Sequence, residues 1–166
     1  MALHDDLLEQ AWHLAKREPK RPKQASLRRE LSAGYYALFH LLIAETTKNW
    51  RRAEERPTLA RMFEHGVMAK VCAKKREDLT TFFKTKSSSD PKFATEKHIL
   101  NIATVFGEIM AHRHRADYDT ASKISRSDVL EQLASVDSAF ASWNEIRDTP
   151  LAQNFLVTLL IKERRP

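Results

Sequence analysis

The sequence predicts an all-α protein built from four to five main helices and a short C-terminal one. Three observations carry that expectation. Only three of the 166 residues are glycine, too few for the tight turns of a sandwich or barrel, which recruit Gly for its positive φ. Val and Ile, which favour strands, number 13 together, whereas Ala, Leu, Lys, Glu and Arg abound. Apolar residues recur at helical spacing along most of the chain. The same scarcity of glycine excludes a Gly-rich phosphate loop.

Helix one is expected over about 5–18: Asp5 and Asp6 suit an N-terminus, Leu7, Leu8, Ala11, Trp12, Leu14 and Ala15 follow at helical spacing, and Pro19 and Pro22 break it. Helix two opens at Gln24 or Ser26, with Glu30 available for a capping interaction. It continues to about Glu55, where Pro57 ends it or starts the next, and so long a helix suits a bend near Thr46 and Thr47. Helix three covers about 58–83, with Leu59, Met62, Phe63, Val67, Val71 and Leu79 as its apolar positions. Residues 84–91, rich in Ser and ending in Pro, form a loop. Helix four spans about 91–117, with Pro91 in its first turn, where the missing N–H does no harm. After a connector at 118–126, Ser127 and Asp128 begin helix five, which runs to about Arg147 through Val129, Leu133, Val136, Phe140 and Trp143. Pro150 opens the terminal helix, about 150–164. Its run Phe155–Ile161 is apolar almost all round, so it is either enclosed or shared between subunits, and burial in a homodimer is favoured.

The size fits one domain, 1–166, with no internal repeat, and a 42% hydrophobic content supports a core. A single cysteine, Cys72, excludes an intrachain disulfide and a Cys-based zinc site. The start MALHDDLLEQ lacks a signal layout and no apolar run approaches a membrane span, so a soluble, cytoplasmic protein is expected. The net charge of +6 is concentrated. Lys16, Arg17, Lys20, Arg21, Lys23, Arg28 and Arg29 face one acid, Glu18, between positions 16 and 29, and smaller clusters lie at 70–76 and 162–165. Such clusters attract phosphate, or form a solvated surface.

In helix two, Leu27, Leu31, Tyr35, Leu38 and Leu42 form one apolar face, flanked at four-residue intervals by a polar stripe of Arg28, Ser32, Tyr36 and His40. In helix four the apolar face of Ile99, Ile102, Ala103, Phe106, Ile109 and Met110 runs on into Arg113 and Asp117. A charged pair four apart in line with a core needs partners. It either locks the end of the helix or, with Tyr36 and His40, forms a polar pocket between helices two and four.

The run Ser32-Ala33-Gly34-Tyr35-Tyr36-Ala37-Leu38-Phe39-His40, followed by Arg113-His114-Arg115-Ala116-Asp117-Tyr118-Asp119, resembles the HEPN superfamily, and most closely its small stand-alone prokaryotic branch. The likeness covers about 5–148. It implies an up-and-down helical bundle, a homodimer, association with RNA or nucleotides, and membership of a toxin–antitoxin or defence system with a nucleotidyltransferase-type partner. Ribonuclease members of that superfamily carry an Arg-polar-x-x-x-His motif. Here Arg113 occupies the arginine position and His114 the polar one, while Tyr118 stands where the histidine would be. Tyr is a poor general base at neutral pH. A ribonuclease would therefore use Arg113 with a displaced histidine, His40 or His114.

The expected function is binding of RNA or a nucleotide by a HEPN-like dimer, with Arg113 on phosphate, Asp117 holding Arg113, Tyr36, His40 and Tyr118 lining the pocket, and Arg28 and Arg29 adding charge. A metal-independent ribonuclease and a non-catalytic protein-interaction module are the alternatives. No metal site or cofactor is expected, since His112 and His114 at i and i+2 do not face one another on a helix. Gly34 and Gly107 are expected to thin two helices where they cross.

Overall fold

Long runs of good helix formers, punctuated at a few prolines and Ser/Thr/Asp clusters, fold as helices throughout. The computed structural model describes residues 2–161. It contains α1 (Leu3–Arg17), α2 (Gln24–Thr47), a 3-10 turn (Ala53–Glu55), α3 (Arg56–Ala60), α4 (His65–Thr85), α5 (Phe93–Tyr118), α6 (Arg126–Ile146) and α7 (Pro150–Thr158). No strand occurs among the described residues, so the fold is an all-α helical bundle. None of the described helices is long and apolar enough to cross a membrane.

The chain divides into two compact units, each assembled from two stretches of sequence. The first contains the residues up to Leu41 with Val105–Phe140, and the second Leu42–Thr104 with the residues from Ala141. In the first unit four helical segments alternate in direction. The Trp12 indole donates to Asp137 Oδ2 at 3.0 Å, and the His4 ring lies against Phe140, which sets α1 antiparallel to α6. Arg28 meets the end of α5 while Tyr35 packs on Phe106 further back, which sets α2 antiparallel to α5. Leu27, Leu31, Tyr35, Leu38, Phe106, Ile109, Val129, Leu133 and Val136 fill the centre, as their spacing predicted. Gly34 belongs to that centre. A Cβ there would stand 2.8 Å from Leu133 Cδ2, so α2 lies close against the α6 side chain at this glycine. Gly107 has open space around the same position. The expected pairing of the two glycines is corrected accordingly: only Gly34 thins a helix, and it faces α6.

The second unit is built around Met68, Cys72 and Leu79 of α4, Ile99 and Ile102 of α5, Trp143 of α6, and Ala152, Phe155 and Leu156 of α7. Phe83 and Phe93 meet edge to face across the α4–α5 loop, with ring centres 4.8 Å apart. Thr149 caps α7, its Oγ1 accepting the Ala152 N–H at 3.2 Å. One face of α7 is enclosed within its own unit, while Val157 and Ile161 are exposed.

Helix two ends earlier than expected. The Thr46 hydroxyl folds back on the Leu42 carbonyl at 2.8 Å, Thr47 does the same to Ala44, and Asn49 Nδ2 follows to the Glu45 carbonyl. These bonds compete with the helical ladder and stop it at Thr47. The expected helix three is likewise two pieces, because the chain breaks after α3 and restarts at His65. That restart changes the phase, so Met68 and Cys72 are buried and Met62 is exposed. Glu30 does not cap α2; it is buried on the helix's inner side.

Candidate functional site

The polar stripe of α2 faces the C-terminal turns of α5, and both lie in the first unit. Arg28 reaches furthest: its guanidinium donates to the carbonyls of Ala116, Asp119 (3.1 Å) and Ser122 (2.7 Å). Those carbonyls belong to the end of α5 and the turn after it, where backbone acceptors lack helical partners and a cation suits the helix dipole. One turn on, Ser32 Oγ donates to Asp117 Oδ1 at 2.8 Å. At the next turn the Tyr36 hydroxyl accepts from Arg113 NH2 at 3.1 Å. His40 completes the row with its ring stacked at 6.1 Å from that of Tyr36.

Arg113 is the centre of this constellation. Its Nε lies 2.7 Å from Asp117 Oδ2, a close ion pair within one helical turn. Its guanidinium carbon sits 5.4 Å and 5.3 Å from the ring centres of Tyr35 and Tyr36, within cation–π range. The side chain is 18% exposed. Arg113, Asp117, Tyr36 and Ser32 thus form one connected group, in which the Arg113 Nε–H is buried beside Asp117 without a directed hydrogen bond, and Ser32 is the member whose role as Asp117's partner its sequence position alone did not assign. The signal was present, since Ser32 fills the second place of the four-residue stripe.

The histidines fall into two environments. His40 is half-buried, and burial, reinforced by neighbouring His4, pushes its pKa down, so its imidazole is neutral at neutral pH. It adjoins Tyr36. His114 points outward beside Tyr118, their ring centres 4.8 Å apart, and Tyr118 is 67% exposed. Tyr118 therefore stands on the surface as an aromatic platform rather than in the α2–α5 seam. Arg29 is exposed.

Around this seam the first unit gathers charge. Gln24 bonds both the carbonyl and the N–H of Ile124. Arg126 donates to the carbonyls of Ala15 and Pro19, both at 3.2 Å. With Arg28 on α5, these bonds bring the end of α1, the start of α2, the end of α5 and the start of α6 to one end of the unit. Residues 15–30 and 113–128, which form that end, carry eleven basic side chains against five acidic ones. The excess equals the charge of the whole chain, +6, so the remainder is neutral on balance. Arg28, Arg113 and Arg126 are committed to internal partners, whereas Lys16, Arg17, Lys20, Arg21, Arg29, Arg115 and Lys123 are exposed.

Among the described residues no group of three His, Cys, Asp or Glu side chains is placed to hold a metal ion. Comparisons with protein-family models, with curated proteins and with solved structures returned no match for this chain.

Proposed function

We propose that this protein binds RNA or a nucleotide through the basic end of its first unit, as a HEPN-like homodimer in a toxin–antitoxin or defence setting. The segregation of charge supports the reading: two stretches far apart in sequence, folded to one end, hold the chain's entire positive excess. A surface of this kind attracts the phosphate backbone. Exposed Tyr118 beside His114 adds a ring on which an unpaired base can stack. Arg113 serves as the inner support of that surface, because the ion pair with Asp117, the bond to Tyr36 and the two rings hold it in place.

The test is a salt titration of labelled single-stranded RNA against the protein and its Lys20→Glu/Arg21→Glu variant. The affinity falls steeply with salt, and the variant's slope is shallower by roughly 0.7 for each phosphate contact removed. Absence of binding at low salt sinks the reading and leaves a protein-interaction module. The ribonuclease alternative is tested by incubation with RNA in chelator beside Arg113→Ala, His40→Ala and His114→Ala; no cleavage by any of the four proteins rejects it. The homodimer is tested by sedimentation equilibrium, in which Val157→Glu weakens self-association.

A further inference from the structure

The second unit carries an exposed tryptophan on a loop tied back by side-chain hydrogen bonds. Trp50 is 48% exposed, although large aromatic side chains bring most of their stabilisation through burial. The backbone beneath it is pinned. Arg56 donates from Nε to the Trp50 carbonyl and from NH2 to the Lys48 carbonyl, both at 3.0 Å, and Asn49 Nδ2 bonds Gln153 Oε1 at 2.6 Å. The indole is oriented as well: its Nε1–H donates to Glu55 Oε2 at 2.8 Å, while the other Glu55 oxygen holds Arg52 at 3.0 Å. Next to the ring, exposed Arg51 has no ion pair or hydrogen bond among the described residues. Asn49, Trp50, Arg51, Arg52 and Glu55 together line a shallow depression that is open to solvent.

We propose that this depression binds a nucleobase carrying a phosphate, the base stacking on Trp50 and the phosphate pairing with Arg51. Every base offers a π-face to an oriented indole, and a guanidinium beside the ring meets the phosphate. The site shares no residue with the basic end of the first unit.

Fluorescein-labelled hexa-adenylate is titrated by anisotropy against the full chain and against Trp50→Ala, Trp50→Phe and Arg51→Ala, each checked by thermal melting. The Lys20→Glu/Arg21→Glu variant and an abasic oligomer of equal length serve as controls. Trp50→Ala weakens binding roughly 10-fold and Trp50→Phe retains most of it. Arg51→Ala lowers the salt slope by about 0.7, and the abasic oligomer binds more weakly than hexa-adenylate. Wild-type affinity in both Trp50→Ala and Arg51→Ala overturns the proposal, as does equal binding of the abasic oligomer. Displacement of hexa-adenylate by polyglutamate at equal charge also overturns it, and points to an acidic protein instead. Loss of binding in Lys20→Glu/Arg21→Glu alone rejects the loop site and supports the basic end; loss in Trp50→Ala alone does the reverse. Failure of the wild-type chain to bind rejects both.

Discussion

Glu30 and Glu45 stand on one helix, α2, and are almost equally buried, at 1% and 5% exposure, yet they sit in opposite circumstances. Glu45, in the second unit, accepts from Arg147 at 2.8 Å and from Lys48 at 2.7 Å, one cation on each oxygen. Glu30, in the first unit, has one oxygen with no hydrogen-bond partner. Arg126 is near enough to favour its charge, but burial is the larger effect and raises the Glu30 pKa, with Glu18 adding to the rise. The reason lies in what the arginines are doing. In the first unit Arg126 donates from its two terminal nitrogens to the carbonyls of Pro19 and Ala15 while its Nε stays buried without a partner, so it gives Glu30 charge but no hydrogen bond, whereas in the second unit Arg147 donates directly to Glu45.

The strongest way to break this comparison is to remove a carbonyl-binding arginine from each unit. Arg28→Ala costs about 3 kcal/mol, since it strips three charge-assisted bonds from the half-buried end of α5. Arg56→Ala costs about 1 kcal/mol or less, because its two carbonyls are exposed and water replaces it. Chemical denaturation measures both, and equal losses would show that the two arginines do the same job. Next in size, Glu45→Gln costs about 2 kcal/mol by leaving Arg147 and Lys48 without their buried counter-charge.

A smaller effect separates the glycines. Gly34→Ala destabilises by about 1 kcal/mol, because overpacking against fully buried Leu133 exceeds the gain in helix propensity. Gly107→Ala, with open space at its Cβ, stabilises by about 0.5–1 kcal/mol. Paired melting curves check the opposite signs. The smallest effect is read in pH. Because the folded chain raises the Glu30 pKa, folding favours its protonated form. That contribution is complete at acid pH and is lost as pH rises through the raised value. Glu30→Gln is therefore more stable than wild type near neutrality, and the gap closes toward about pH 4. A gap that does not change with pH refutes the assignment.

The first unit was largely legible from residue order, and the second much less so. The α2 stripe and the Arg113–Asp117 pair follow from four-residue spacing alone, and the helices that carry them contain no interruption near the site. Which partners they take was not legible: nothing in the spacing says that Arg28 would serve carbonyls three elements away, or that Ser32 would meet Asp117. Between Lys48 and Glu64 the sequence hides its breaks. Only Pro57 marks the stretch, and it sits inside α3, where an early helical position tolerates it. The true stop is made by hydroxyls at Thr46 and Thr47 bonding backward, where the sequence suggested a bend in one long helix and not its end. Trp50 consequently read as one more helical position, and the loop that presents it went unrecognised.

The lone thiol of α4 has a practical consequence. Cys72 is enclosed in the centre of the second unit, and burial pushes its pKa up to about 12. Alkylating reagents attack the thiolate, so labelling must wait until α4 leaves its neighbours. Mass spectrometry of alkylated protein over time thus clocks the opening of that unit alone. No engineered probe is needed, and substitutions in the other unit can be assayed for whether their damage spreads.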